Sequence, residues 1–153
     1  MISEMIINES GLEWEPVKEG TGDVPKTGQM VSVHYDIWFG EGTTTSNFDY
    51  DKNEYIDVLH DSTRDEKNPF HGPVNFKIGE HTPLDDTYKK GQSIAGIDEA
   101  LLDMKVGEIR NLHIPSHLAY GELGGSSFHT FHAYRTPPHS SLKMKIELVK
   151  IGE

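Results

Sequence analysis

The chain has 153 residues, and its 25 Asp and Glu against 14 Lys and Arg give a formal net charge of −11. This length suits one domain with a buried core, and the acidic balance argues against nucleic acid and anionic membranes as main partners. The sequence contains no cysteine, which excludes disulfides, thiolate nucleophiles and thiolate metal sites.

Short strands separated by polar turns are predicted over most of the chain. Residues 1–10 are a lead-in, either a tail or an extra edge strand, and a strand containing Leu12, Trp14 and Val17 follows it. The alternation of side chains is clearest over residues 30–39, which predicts a half-buried strand. Further strands are predicted at residues 55–59, 74–78, 108–114 and 141–151, with loops at 40–52 and 122–138.

One short helix is predicted ahead of the strand at residues 108–114. Its apolar face consists of positions at helical spacing, namely Ile97, Ala100, Leu101 and Met104. Gly107 is predicted to end the helix, because glycine adopts positive φ without strain. Antiparallel strands and one helix indicate an α+β domain, in which one face of the sheet packs on the helix and the other faces water.

Seven motifs follow one another over residues 11–151. They are GTG at 20–22 with VSVHY at 31–35, DSTRD at 61–65, PVNFKIG at 73–79, QSIAGIDEAL at 92–101, MKVGE at 104–108, LAYG at 118–121 and PPHSSL at 137–142. Together they resemble the FKBP family of peptidyl-prolyl cis-trans isomerases. The resemblance implies a single domain with a twisted antiparallel β-sheet wrapped over one short α-helix. It also implies an isomerase (rotamase) that acts on Xaa-Pro bonds of proline-containing polypeptides, as a chaperone in protein folding.

The resemblance further implies an apolar substrate pocket between the helix and the sheet. The catalytic residues would be Tyr35, Asp61 and Tyr120. Tyr120 would donate a hydrogen bond to a substrate carbonyl, and Asp61 would be the one acid at the pocket, held by Tyr35. The substrate-binding residues would be His60, Val74, Ser93, Ile94, Ile97, Phe131 and Met144. Phe131 lies in a long loop, and it would either extend the pocket mouth or anchor that loop.

The chain departs from the family at several pocket positions. Ile97 stands where the family often has tryptophan, and His60, Val74 and Met144 stand at aromatic positions, which argues against macrolide binding. Without the resemblance, Ile97, Val74 and Met144 would be interpreted as ordinary core residues. Insertions near residues 40–53, 64–72, 80–90 and 122–136 favour a dedicated protein partner. The alternative function is therefore a weakly active or inactive binding module with the FKBP fold.

Calcium binding and transition-metal binding are further alternatives, which the sequence supports less well. Four residues fit positions of a calcium loop, namely Asp49, Asp51, Asn53 and Asp57, but Glu54 and His60 replace its required glycine and final glutamate. Five histidines match no defined metal spacing: His113, His117, His129, His132 and His139. We therefore expect no metal and no cofactor. We also expect a soluble, cytoplasmic protein without membrane attachment, because no signal peptide or apolar run of transmembrane length is seen.

Overall fold

The computed structural model describes residues 5–39, 48–49, 54–55, 59–63, 72–80, 94–119, 121, 125–126, 135–136 and 141–152, with only the backbone at 38–39, 48–49, 54–55, 59–62, 125–126 and 135–136. Its strands are β1 (Ile6–Ile7), β2 (Glu13–Lys18), β3 (Met30–Phe39), β4 (Phe48–Asp49), β5 (Glu54–Tyr55), β6 (Leu59–Ser62), β7 (Val74–Lys77), β8 (Ile109–Ile114), β9 (Gly125–Ser126), β10 (Arg135–Thr136) and β11 (Leu142–Ile151). Helix α1 (Ala95–Leu101) precedes β8, and a 3₁₀ turn (Ser116–Leu118) follows it.

An antiparallel sheet dominates the described part of the chain. Its strand order is β1-β2-β8-β11-β3-β6, and β7 also pairs with β3. Strand β3 therefore has β11 along one edge, whereas its other edge is shared by β7 near Met30 and by β6 near Trp38. The pairs β4–β5 and β9–β10 form two further small sheets.

The core lies between this sheet and α1. Alternate residues of the two long strands are buried, namely Val31, Val33, Tyr35 and Ile37 of β3 and Leu142, Met144, Ile146 and Leu148 of β11. The helix contributes Ile97, Ala100 and Leu101 to the same apolar cluster. Burial of each large aliphatic side chain contributes about 1.5–3 kcal/mol to folding. The predicted α+β fold is confirmed.

The helix ends earlier than the sequence predicts. Its last residue is Leu101, whereas Gly107 (φ 92°) lies in the turn that leads into β8 and donates its N–H to the Leu148 carbonyl at 2.8 Å. Met104 is nevertheless fully buried, because a tight turn after the helix brings its N–H to the Leu101 carbonyl at 3.1 Å. The helical spacing thus identified a core residue beyond the helix itself.

The lead-in forms an edge strand, which is one of its two predicted alternatives, since Ile6 pairs with Trp14 across β1 and β2. Other short elements differ from their predictions. The predicted loops at 40–52 and 122–138 contain strand residues of the two small sheets, whose backbone pairing needs no apolar pattern. Of the strand predicted at 55–59, β5 ends at Tyr55 and β6 begins at Leu59, and residues 56–58 lie outside the described residues. Among the described residues, no helix is long and apolar enough to cross a membrane.

Candidate functional site

One row of residues crosses the sheet beneath α1. Met144 of β11 lies opposite Ile37 of β3, and Ile37 lies opposite Asp61 of β6. Residues directly opposite each other in antiparallel strands project to the same face of the sheet. The register positions of Met144 and Asp61 therefore share the face that is buried against the helix.

The neighbouring rows add two more of the predicted residues. Tyr35 lies two residues before Ile37 on β3 and so belongs to the same face. Val33 lies two residues earlier still, and its partner across the strand pair is Val74 of β7. The strand register thus places four predicted positions that are far apart in the sequence on one face of the sheet, namely Tyr35, Asp61, Val74 and Met144.

A bulge in β6 sets the position of His60. Ile37 pairs with Asp61, but the next residue of β3, Trp38, pairs with Leu59, so His60 is an extra residue in its strand. Bulges bend a strand and change where the next side chain is directed. Because the extra residue is His60, the bulge lies directly beside Asp61 in the strand.

Helix α1 supplies the residues above this face. The Ile94 carbonyl accepts the N–H groups of Ile97 at 3.1 Å and Asp98 at 3.2 Å, which starts the helix. Asp98 is buried in the first turn, where a carboxylate interacts favourably with the helix dipole. Its Oδ2 accepts the Gly79 N–H at 3.0 Å, and this bond ties the start of the helix to the turn after β7.

The predicted pocket residues form a desolvated apolar surface. Tyr35, Ile94, Ile97 and Met144 are each 1% exposed, and Val74 is half-buried against the same cluster. Solvent therefore reaches this set of described side chains at Val74. Buried apolar residues of this kind suit both the floor of a pocket for a proline ring and an ordinary core, so burial does not distinguish the two.

Several of the predicted residues are not covered by this geometry. Ser93, Tyr120 and Phe131 lie outside the described residues, and His60 and Asp61 are described by their backbone alone. Their roles remain predictions.

Sequence reasoning missed Thr63, which directly follows β6. Thr63 is 1% exposed, and its Oγ1 accepts the Tyr35 N–H at 3.0 Å. Its own N–H is donated to the Tyr35 carbonyl at 3.0 Å. The only signal in the sequence was a small hydroxyl residue within the motif DSTRD.

A buried charged cluster was also missed. Arg110 is 5% exposed and lies on the core face of β8, where its Nε donates to the carboxylate of Glu108. Its Nη2 donates to the Asp103 carbonyl at 2.9 Å. The period-2 alternation places Arg110 on the same face as Leu112 and Ile114, which is the buried face. Its burial was nevertheless not predicted, because arginine is seldom buried in proteins.

Two of the histidines considered as metal ligands have protein partners. His113 Nδ1 lies 2.7 Å from Glu13 Oε2, and His117 Nε2 lies 2.7 Å from the Ser10 carbonyl oxygen. Within the described ranges, no group of three or more His, Cys, Asp or Glu side chains is arranged to hold a metal ion. His129, His132 and His139 and most of the candidate calcium loop lie outside those ranges.

Comparisons with known proteins agree with this architecture. Residues 22–149 match the family model of the FKBP-type peptidyl-prolyl cis-trans isomerases. The chain is 32% identical to FK506-binding protein 1 of Dictyostelium discoideum, over 91% of this chain and 96% of that protein. It is 31% identical to the peptidyl-prolyl cis-trans isomerase FKBP12 of Vicia faba, over 92% and 97%.

Solved structures show the same fold. The N-terminal domain of FKBP42 from Arabidopsis thaliana superposes with a TM-score of 0.68 at 22% identity, covering 100% of this chain and 95% of that one. AtFKBP13 superposes with a TM-score of 0.64 at 24% identity, covering 96% and 98%. The family match and the relatives above 30% identity confirm the resemblance seen in the motifs. This chain belongs to the enzyme family of FKBP-type peptidyl-prolyl cis-trans isomerases.

Proposed function

We propose that this chain catalyses the cis–trans isomerisation of Xaa-Pro bonds in polypeptides, at an apolar pocket between α1 and the buried face of the sheet. The observation that carries the proposal is the family match over residues 22–149. The common face of Tyr35, Val74 and Met144 and the register position of Asp61 support it. Proline-containing polypeptides are the substrate class.

The chemistry of this reaction needs a surface of this kind. Rotation about an amide bond loses resonance, and the barrier is roughly 18–20 kcal/mol. Uncatalysed exchange at an Xaa-Pro bond takes tens to hundreds of seconds, which is slow enough to limit folding. Because no covalent bond is broken, the reaction can be accelerated by binding the twisted amide better than the planar one.

The residues divide this work by their chemistry. Ile94, Ile97, Val74 and Met144 would surround the proline ring and strip water from the neighbouring carbonyl, which disfavours the polar planar amide. Tyr120 would donate a hydrogen bond to a substrate carbonyl, while Tyr35 would hold Asp61. Ser93 and Ile94 would offer backbone groups to the peptide, and His60 and Phe131 would contact it at the pocket mouth.

A weakly active or inactive binding module with the FKBP fold is the second candidate. Ile94, Ile97 and Met144 are each 1% exposed, which is also the burial of ordinary core residues. In that case the insertions near residues 40–53, 64–72, 80–90 and 122–136 would bind a dedicated protein partner. Macrolide binding is not expected in either case, because aliphatic residues replace aromatic ones. A cytoplasmic location stays a prediction from the sequence.

An isomerase assay separates the two candidates. The rate of cis–trans exchange in Xaa-Pro peptides is measured by a protease-coupled assay or by NMR. Several residues are tested at the position before proline. The expected result is catalysed exchange that depends on enzyme concentration. An Asp61→Ala protein purified in parallel controls for contaminating isomerases of the expression host. No rate enhancement, together with binding of a partner peptide, would establish the binding module instead.

A further inference from the structure

Thr63 interrupts the regular hydrogen-bond pattern between β3 and β6. Its N–H is donated to the Tyr35 carbonyl at 3.0 Å, as expected of a residue that continues the pairing. In a regular antiparallel pair, the Tyr35 N–H would be donated to the Thr63 carbonyl. Instead, it is donated to the Thr63 hydroxyl at 3.0 Å. The side chain of Thr63 thus replaces its own carbonyl as the acceptor.

This replacement releases the Thr63 carbonyl for a different bond. The Gly72 N–H is donated to that carbonyl at 2.8 Å. Residues 64–71 connect the two bonded residues and constitute most of the predicted insertion at 64–72. One residue therefore closes the base of the insertion through its backbone and holds Tyr35 through its side chain.

The hydroxyl of Thr63 is fully engaged. Besides the Tyr35 N–H, it lies 2.9 Å from His34 Nδ1 and 3.3 Å from the Tyr35 carbonyl oxygen. Thr63 is only 1% exposed, so water does not replace these bonds when the hydroxyl is removed. A buried polar group that loses its partner is costly, whereas an exposed one is not.

We propose that Thr63 is a positioning residue of the isomerase site. Its hydroxyl holds β3 at Tyr35 in register with the strand that carries Asp61, while its carbonyl bonds Gly72, where the described chain resumes. The inference rests on the proposed isomerase function. Thr63 acts through Tyr35 and Asp61, and small displacements of such groups cost large factors in rate.

Thr63→Val and Thr63→Ser form the matched test. Valine removes the hydroxyl at nearly the same volume, and serine keeps it. With Xaa-Pro peptides we expect Thr63→Val to lower kcat about tenfold, equivalent to about 1.4 kcal/mol, with KM changed by less than about twofold. Thr63→Ser should stay within about twofold of the unmodified protein. Hydrogen exchange at the Tyr35 amide should accelerate in Thr63→Val, because this N–H loses the hydroxyl that accepts it. If the Thr63 carbonyl turns to accept it instead, exchange at the Gly72 amide should accelerate, because that carbonyl accepts the Gly72 N–H.

Ser32→Ala is the control for a general loss of stability. Ser32 also lies on β3, and its hydroxyl bonds the side chain of Asn75 in β7. Strand β7 pairs with the same edge of β3 as β6, but near Met30. Its removal should lower the melting temperature and leave kcat unchanged. Should Thr63→Val fail to fold, Thr63→Cys takes its place, because a thiol is only a weak acceptor; its kcat should fall below that of Thr63→Ser.

The outcomes are distinguishable. An active unmodified protein with unchanged kcat in Thr63→Val, or an equal fall in kcat in Ser32→Ala, overturns the positioning role alone. If Thr63→Val does not fold, the positioning role is overturned when Thr63→Cys and Thr63→Ser have the same kcat. An unmodified protein without isomerase activity overturns the proposed function, and the positioning role with it.

Discussion

The guanidinium carbon of the buried Arg110 lies 3.7 Å from the centre of the half-buried Trp14 ring. The same guanidinium bonds the carboxylate of Glu108 and the backbone carbonyl of Asp103. Arg110 therefore joins β8 to β2 and to the turn that follows α1. A buried charge is tolerated only when paired and hydrogen-bonded, and this cluster satisfies both conditions.

Arg110→Ala should lower the free energy of unfolding by about 3–5 kcal/mol, because Glu108 is left buried without its partner. The double variant Arg110→Met with Glu108→Gln should lose less than Arg110→Ala, since no buried charge remains. Chemical denaturation measures both values. Lys150→Ala is the control, because Lys150 is an exposed cation on β11 and its loss should change stability by less than about 0.5 kcal/mol. Equal losses for Arg110→Ala and Lys150→Ala would contradict the role of the cluster.

Glu99→Ala should release the N-terminal segment from the helix. Glu99 Oε2 accepts the Asn8 Nδ2–H at 2.8 Å and the Ser10 hydroxyl at 2.7 Å. Loss of two bonds to a half-buried carboxylate should cost about 1–2 kcal/mol in unfolding free energy. Hydrogen exchange should accelerate at the Asn8 and Gly11 amides, which close the turn between β1 and β2.

The matched control for Glu99→Ala is Glu80→Ala, because Glu80 is exposed and lies after β7. It removes the same charge without removing these bonds. If exchange at Asn8 and Gly11 does not differ between the two variants, Glu99 does not hold the segment.

Gly96→Ala should destabilise the protein although alanine favours helices. A Cβ at Gly96 would lie 2.6 Å from Ile114 Cγ2 and 3.2 Å from the Leu118 carbonyl oxygen. The gain in helix propensity is about 1 kcal/mol, and overpacking costs about 1–3 kcal/mol, so a net loss of roughly 1 kcal/mol is expected. A double-mutant cycle with Ile114→Ala, measured by denaturation, should show coupling. Strict additivity would show that the two residues do not collide.

Asp61→Ala and Tyr120→Phe should each lower kcat/KM on Xaa-Pro peptides by about tenfold, which corresponds to about 1.4 kcal/mol of transition-state stabilisation. The melting temperature should stay nearly unchanged, because both residues are assigned to the substrate and not to the core. The isomerase assay and a thermal denaturation curve are measured on the same preparations. Rates equal to those of the unmodified protein in both variants would overturn the catalytic roles of Asp61 and Tyr120.

Strand periodicity and short motifs in the sequence predicted most of the architecture. The alternation over residues 30–39 and 141–151 predicted the two central strands, and helical spacing predicted the buried residues Ile97, Ala100, Leu101 and Met104. The motifs indicated the family that the comparisons show. These features can be predicted because the repeat of 2 residues in a strand and of 3.6 residues in a helix depends only on side chains that are close in the sequence.

Tertiary structure alone decided the contacts between distant residues. Asn8 and Glu99 are bonded although they are 91 positions apart, and no local pattern identifies such a pair. Strand register decided that Met144 and Asp61 share a row, and a bulge decided where His60 lies. The sequence by itself determined the long strands, the helix and the family. Packing decided that Arg110 faces inward and that the Thr63 hydroxyl replaces a carbonyl, because a polar side chain is buried only where the fold supplies its partners.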